Sequence, residues 1–269
     1  MGEWPTMRAL LSVSILVAGL GGVPAFAAAE SCEGAGPQSP RDIGQRAGSN
    51  PRVFSIAPPP SQMNLCNVHL HENAEHKGPG FDRPVGEGGA GGYRCGAATE
   101  LSESERAPIE PNHCENVSPG DTIEVHWVFT SCGAAPGPGL GSCLTASCSN
   151  PQLRVEAQVF LVVHDDAALD FSELGRPAGA TGPYWQPEAL PEGTGDPVVY
   201  LGSTTGSEYD DTACSPLQVT WSVRPECARV DASSLSAWCG ANIFEESEAH
   251  GVRALVTRPE LLSPIGTGD

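Results

Sequence analysis

Two stretches of the chain alternate apolar and polar residues with the period of a β-strand. Within Asp121–Thr130, four apolar side chains occupy every second position, namely Ile123, Val125, Trp127 and Phe129. Leu153–His164 likewise carries an apolar residue at every second position from Leu153 to Val163. Successive strand residues point to opposite faces of a sheet, so each stretch predicts a strand with a buried face. Shorter segments predict further strands at Leu65–His71, Pro197–Gly202, Leu217–Val223 and Val252–Arg258.

Helical patterns are weak and turn-forming residues are frequent. The chain has 269 residues, with 32 glycines and 25 prolines, and the loops Gly78–Gly92, Gly133–Gly141 and Arg176–Asp196 are dense in both. Only Ser233–Trp238 and Ile243–His250 predict helices, each of about two turns. We therefore expect a mainly β fold: a single-domain sandwich or barrel-like sheet with long Gly/Pro-rich loops and one or two short helices.

The first residues have the pattern of a secretory signal peptide. Arg8 precedes the apolar run Ala9–Leu20, and a stretch of small residues follows. We expect residues 1–29 to be this signal, with cleavage after Ala27 or Ala29, and the mature protein to be secreted or periplasmic. No later segment predicts a membrane span. Residues 30–62 are rich in Pro, Ser and Gly and predict an N-terminal arm or linker, and residues 63–269 predict the folded domain.

Cysteine content and charge restrict the class of protein. An even number of cysteines, 10, in an exported chain favours disulfide bonds, and close pairs such as Cys143/Cys148 and Cys227/Cys239 could bridge locally. The chain has 33 acidic and 14 basic residues, a net charge of -19. Such a surface repels nucleic acids and anionic membranes, so we expect neither as a partner. The oligomeric state is left open by the sequence.

The densest group of metal-binding residue types lies around the predicted strand Leu65–His71. His69 and His71 are two residues apart, so they project from the same face with attachment points about 6–7 Å apart. Two imidazoles at that separation can converge on one metal ion. His126 lies on the polar face of the strand Asp121–Thr130 and supplies a third candidate ligand, which leaves a fourth position for water.

Three further residues near these histidines are candidates for the site. Glu75 and Glu124 could each accept a hydrogen bond from a ligand imidazole or orient a reacting group, and Glu75 could also be a ligand. His76 could be a ligand, a proton carrier or a loop residue. The sequence does not choose among these roles.

Two long blocks of sequence resemble the delta class of carbonic anhydrases. The first is Cys66–Lys77, which reads CNVHLHENAEHK, and the second is Gly120–Cys132, which reads GDTIEVHWVFTSC. The resemblance extends more loosely over residues 50–262. It implies that residues 63–269 form a catalytic domain and that Zn²⁺ is held by His69, His71 and His126.

The resemblance also implies the chemistry. A carbonic anhydrase catalyses the reversible hydration of carbon dioxide to bicarbonate and a proton, with attack of zinc-bound hydroxide on the carbon atom. Carbon dioxide and bicarbonate are then the small-molecule substrates. The proton released needs a carrier, and His76 or His113 are the sequence candidates.

Two other metal sites fit parts of the sequence. His69, His71 and Glu75 have the spacing of the first cupin metal motif, which would favour iron or manganese. The second cupin motif is not matched, because His126 lies too far along the chain. The segment Pro119–Val125 has the composition of a cupredoxin-like copper protein, a non-catalytic binding domain, but no cysteine, histidine and methionine lie close together near the C-terminus, as such a site needs, and the only methionine after the signal is Met63.

Overall fold

The structure is a computed structural model that describes residues 30–96, 100–179 and 182–266. The predicted signal peptide lies outside these residues. The strands are β1 (Glu30–Ser31), β2 (Asn64–Glu72), β3 (Arg83–Pro84), β4 (Tyr93–Arg94), β5 (Thr122–Thr130), β6 (Leu153–Val163), β7 (Val198–Ser203), β8 (Ala213–Cys214), β9 (Gln218–Val223), β10 (Ala228–Asp231) and β11 (Ala249–His250). The helices are α1 (Phe171–Leu174) and α2 (Ala232–Gly240), and 3-10 turns lie at Pro60–Gln62, Glu87–Gly89, Leu140–Cys143 and Pro259–Leu261.

One mixed sheet of seven strands forms the centre of the domain. Its order is β11-β2-β5-β6-β9-β7, and β10 pairs with β6 beyond the end of β9. The pairs β2–β5 and β5–β6 are antiparallel, whereas β9 and β10 run parallel to β6. The sheet is open, and the prediction of a mainly β fold is confirmed.

The two faces of this sheet belong to two different hydrophobic cores. On one face, Val125, Trp127 and Phe129 of β5 pack towards the helices α1 and α2. On the other face, the alternate apolar residues of β6 from Leu153 to Val163 pack beneath loops and the N-terminal segment. The predicted alternation in β5 and β6 is therefore confirmed, and it leaves His126 on the face opposite Trp127.

Helix α2 confirms the prediction for Ser233–Trp238, but two other predicted elements are wrong. Ile243–His250 is not a helix, because the side-chain oxygen of Asn242 accepts the backbone N–H groups of Phe244 and Glu246 and so competes with helical hydrogen bonds. Val252–Arg258 is not a strand, because its backbone N–H groups do not form a regular ladder of hydrogen bonds with a neighbouring strand. The N–H group of Val256, for example, donates to the carbonyl of Pro40.

The segment 30–62, expected as an arm or a linker, packs along the domain. The side chain of Arg41 is buried, with 1% of its surface exposed, and donates hydrogen bonds to the carbonyls of Ser263 and Ala47. Further along, the Ala57 N–H donates to the Thr220 hydroxyl in β9. We call residues 32–50 the N-terminal arm.

All 10 cysteines form disulfide bonds, but neither of the predicted local pairs exists. Cys143 and Cys148 have different partners, as do Cys227 and Cys239, because the fold brings segments that are distant in sequence next to each of these cysteines. The bonds are Cys32–Cys214, Cys66–Cys143, Cys95–Cys227, Cys114–Cys239 and Cys132–Cys148. Five disulfides fit an oxidising compartment. In the part of the chain that the structure describes, no helix has the length and apolar character to cross a bilayer.

The separation of the two sheet faces leads to a first prediction. The buried indole of Trp127 donates to the carbonyl of Leu174 at 2.8 Å, so Trp127→Phe leaves that carbonyl without its donor. We expect the free energy of unfolding, measured by chemical denaturation, to fall by about 1–3 kcal/mol. Zinc affinity should not change, because His126 projects from the other face. A parallel loss of zinc affinity would contradict this separation.

Candidate metal centre

Strand pairing brings the three predicted ligands together. His69 in β2 lies directly opposite His126 in β5, and His71 lies two residues further along the same face of β2. The ring centroids are 5.0 Å apart for His69 and His126, 4.6 Å for His71 and His126, and 5.1 Å for His69 and His71. One nitrogen from each ring lies within 4.8 Å of the others. The residues predicted from two distant segments thus form one cluster.

Hydrogen bonds fix which nitrogen of two of these rings carries the proton. The Asn67 amide donates to the carbonyl of Gly137, so its oxygen faces His69 and accepts from Nδ1 at 2.7 Å. The carboxylate of Glu124 can only accept, and it accepts from His126 Nε2 at 3.0 Å. When both rings are neutral, His69 Nε2 and His126 Nδ1 are therefore the atoms that carry lone pairs, and these two atoms lie 3.2 Å apart.

This arrangement fits a bound cation. Two lone pairs facing each other repel unless a positive charge lies near both, and neither ring nitrogen of the buried His71 has a hydrogen-bond partner among the described residues. A tetrahedral metal ion with bonds of about 2.0–2.1 Å holds its ligand atoms about 3.3 Å apart. The observed separation of 3.2 Å is close to this value. His69, His71 and His126 can therefore hold a metal ion.

Burial favours the neutral form of His69 and His71, the form that metal binding requires. Burial lowers the pKa of His71, and burial together with the neighbouring His126 and His71 lowers the pKa of His69 to well below its usual value. For Glu124, burial alone would raise the pKa, but His76 and His126 outweigh it and hold the pKa well below the usual range. The cluster thus combines two imidazoles whose neutral form is favoured, those of His69 and His71, with the ionised carboxylate of Glu124.

His76, a candidate ligand or proton carrier, lies beneath the three histidines and has no exposed surface. Its Nδ1 donates to Glu124 at 2.7 Å, and its Nε2 is hydrogen-bonded to the Tyr200 hydroxyl at 2.8 Å. His76, Glu124 and His126 also lie close enough to hold a metal ion. Both ring nitrogens of His76 are already hydrogen-bonded, so this second group is better described as a hydrogen-bond network.

Glu75 does not join the histidine cluster as a ligand. One carboxylate oxygen accepts the backbone N–H of Arg253 at 3.1 Å, and the other, Oε2, is buried without a partner among the described residues. Glu75 is absent from the ligand groups found in the described part of the chain. The cupin-type combination of His69, His71 and Glu75 is therefore not assembled.

The cysteines exclude the cupredoxin-like alternative. A copper site of that type needs a cysteine thiolate. Every cysteine of the chain is held in a disulfide, so none can act as a thiolate ligand.

The cluster lies at the base of a pocket of about 460 Å³ with apolar and polar lining residues. Val128, Val155 and Trp221 form an apolar wall, and they occupy one row across β5, β6 and β9 next to His126. Residues 204–208 add polar groups to the lining of the pocket. The pocket thus offers apolar and polar surface next to the histidines.

Two residues of this pocket were not predicted from the sequence. Asn67 lies two residues before His69 on the same strand, so the two-residue period could have identified it. His250 lies at the pocket rim, with ring centroids 6.3 Å from those of His69 and His71. A hydrogen bond to Glu246 raises the pKa of this half-exposed imidazole. His113 lies elsewhere, in a cleft with His164.

Asn67 provides a test of the hydrogen bonds that orient the ligands. Asn67→Ala removes the acceptor of His69 Nδ1–H, and such partners typically contribute 10- to 100-fold to metal affinity. We expect a loss of about that size in Zn²⁺ affinity, measured by competition with a chromophoric chelator. Asn64→Ala, which removes a buried asparagine of the same strand that bonds Cys132 and Trp185, is the control. Equal losses in both variants would contradict the role of Asn67.

Comparison with known proteins identifies the family. A search of curated proteins gives no significant match. Among solved structures, an α-carbonic anhydrase from Thermovibrio ammonificans in complex with the inhibitor sulfanilamide is 18% identical, with a TM-score of 0.29; the match covers 81% of this chain and 83% of that chain. The sequence model of the delta carbonic anhydrases matches residues 60–234, which is about two thirds of the chain. On this match, the chain belongs to the delta carbonic anhydrase family.

Proposed function

We propose that this protein catalyses the reversible hydration of carbon dioxide to bicarbonate at a zinc ion held by His69, His71 and His126. The observation that carries the proposal is the 3.2 Å approach of His69 Nε2 to His126 Nδ1, next to a buried His71 without hydrogen-bond partners among the described residues. Three neutral imidazoles leave the charge of a divalent cation undiminished and one coordination position open. When bound, zinc supplies Lewis-acid activation of water near neutral pH, as is established for carbonic anhydrases in general.

The residues around the ligands hold the imidazoles in place. Asn67 and Glu124 each accept the N–H that a ligand ring does not use for the metal, which fixes the tautomer and the ring orientation. His71 still needs such an acceptor, and we assign this role to the unpaired oxygen of Glu75, whose charge acts on His71. His76 supports Glu124 from below.

The pocket lining matches the two sides of the reaction. Carbon dioxide has no net dipole and few hydrogen-bonding options, so the apolar row of Val128, Val155 and Trp221 is its natural surface. Bicarbonate is charged and polar, and Thr205, which lines the same pocket, offers it a hydroxyl group. Substrate and product would thus be held by different residues of one pocket.

The geometry favours His250 as the proton carrier over the two sequence candidates. His76 is fully buried with both nitrogens bonded, and His113 lines a separate cleft. His250 lines the metal pocket, and 46% of its side-chain surface is exposed. An imidazole in that position can pass a proton between the pocket and the buffer.

The proposed function includes export to the periplasm or the medium. The signal-like N-terminus lies outside the described residues, and the five disulfides fit an oxidising environment. The catalytic domain proposed from the sequence, residues 63–269, is then the part that carries the pocket.

Substitution of the ligands tests the proposal directly. We expect His69→Ala, His71→Ala and His126→Ala each to abolish both zinc binding and stopped-flow carbon dioxide hydration, because two imidazoles leave the metal weakly held. His164→Ala is the control, since this exposed histidine lies outside the pocket. Full activity in any one ligand variant would remove that residue from the site.

Metal analysis separates the zinc proposal from the alternatives. We expect purified protein to contain zinc, to lose activity on chelation and to regain it with Zn²⁺. Iron or manganese in the purified protein, with activity restored only by those metals, would contradict the proposal.

The proton carrier has its own test. His250→Ala should lower kcat by roughly 10- to 100-fold in dilute buffer, whereas kcat/KM for carbon dioxide should change little, because the chemical step is untouched. Added imidazole should restore kcat. His113→Ala is the matched control and should behave as wild type. A loss of kcat/KM in His250→Ala without rescue would contradict the assignment.

A further inference from the structure

Beneath the metal centre, six buried residues form a closed ring of hydrogen bonds. We call this set the buried ring. Between 0% and 4% of the surface of each member is exposed. The members come from five separate parts of the chain and are Ser39, Glu75, His76, Glu124, Tyr200 and Arg253.

One half of the buried ring runs from the metal ligands to the N-terminal arm. Glu124, which accepts from His126, also accepts from His76 Nδ1 at 2.7 Å. His76 Nε2 contacts the Tyr200 hydroxyl at 2.8 Å, and this hydroxyl lies 3.0 Å from Ser39 Oγ. The chain of contacts from His126 to the arm therefore has no gap.

The other half returns from the arm to the same carboxylate. The guanidinium of Arg253 donates to the Ser39 carbonyl at 2.8 Å, and the Arg253 backbone N–H donates to Glu75 Oε1 at 3.1 Å. The Glu75 backbone N–H then donates to Glu124 Oε2 at 2.6 Å. The two halves of the buried ring thus meet at Glu124: Oε1 accepts from the His76 ring, and Oε2 accepts from the Glu75 backbone.

Ser39 is itself held firmly against β7. Its N–H donates to the Ser203 hydroxyl, and the Ser203 N–H donates back to the Ser39 hydroxyl, each at 3.3 Å. The ring of Tyr200 stacks on Trp221, which packs edge-on against both His76 and His126. The positions of Tyr200 and Ser39 are consequently defined by contacts within the domain.

The chemistry of the metal centre depends on the orientation of His126, and Glu124 alone cannot fix it. A carboxylate rotates unless its own donors are fixed, and the strongest side-chain donor of Glu124 is His76. Without the Tyr200 hydroxyl, the buried His76 Nε2 has no partner, and the ring can turn or change tautomer. In that case nothing keeps the proton on His76 Nδ1, the atom that donates to Glu124.

We propose that Tyr200 and Ser39 are positioning residues of the metal centre, which hold His126 in its ligand orientation through His76 and Glu124. This inference rests on the proposed function. Because Ser39 belongs to the N-terminal arm, the arm then helps to position a metal ligand. Ser39 and Arg253 both lie outside residues 60–234, the part matched by the family model.

The test uses the full mature chain and single hydroxyl deletions. Tyr200→Phe should weaken Zn²⁺ affinity by about tenfold, the lower end of the effect of such partners, and should lower kcat for carbon dioxide hydration while KM changes little. Tyr93→Phe is the matched control, because Tyr93 is a buried tyrosine of the same core outside the buried ring. Thermal unfolding of each metal-free variant identifies any variant that fails to fold.

A double variant separates positioning from general destabilisation. Ser39→Ala should weaken Zn²⁺ affinity less than Tyr200→Phe, and the combined variant should lose no more affinity than Tyr200→Phe alone, because both act through one path. Additive losses, or a Tyr200→Phe variant equal to Tyr93→Phe in zinc affinity and kcat, would overturn the inference. Absence of zinc binding and hydration in the wild type would instead reject the proposed function.

Discussion

The proposed metal centre depends on one buried carboxylate, that of Glu124. A charge without access to water is costly unless it is fully hydrogen-bonded, and this one has four donors: the backbone N–H groups of Glu75 and His76 and the rings of His76 and His126. The same four bonds leave the carboxylate no freedom to rotate. Because it can only accept, it directs the lone pair of His126 towards His69. The hydrogen bonds that stabilise the buried charge of Glu124 thus also orient the ring of His126.

Strand register is the second requirement, and it links the site to the stability of the fold. The antiparallel pairing of β2 with β5 places His69 opposite His126 on one face, while Trp127 packs against the helices on the other. A slip of one residue would turn the histidines into the helical core and the apolar residues into the pocket. Packing of Trp127 against the helices therefore stabilises the strand register that places His69 opposite His126 on the other face of the sheet.

The sequence predicted best the features that follow from the residue pattern within a single strand or helix. The alternation in β5 and β6, the shared face of His69 and His71, and the short helix α2 follow from local patterns. The mainly β class follows from the same patterns together with the many turn residues. The convergence of His126 with the other two histidines needed the family resemblance as well, because it depends on which strands pair.

Local sequence patterns did not predict the features that depend on long-range contacts. Disulfide partners lie up to 182 residues apart, so proximity along the chain was a poor guide to them. The helix expected at Ile243–His250 is lost because the Asn242 side-chain oxygen accepts two local backbone N–H groups, and the strand expected at Val252–Arg258 is lost to contacts with the N-terminal arm. His250 and Tyr200 have no local signal, because their roles come from the tertiary structure that brings them to the pocket and to His76.

The most direct test of this account is a crystal structure of the zinc-loaded protein with diffraction data collected on both sides of the zinc absorption edge. The account predicts one strong anomalous peak about 2.0–2.1 Å from His69 Nε2, His126 Nδ1 and one nitrogen of His71, with His76 and Glu124 still hydrogen-bonded to each other. A peak bound by His76 or Glu124, or no peak between the three histidines, would contradict it.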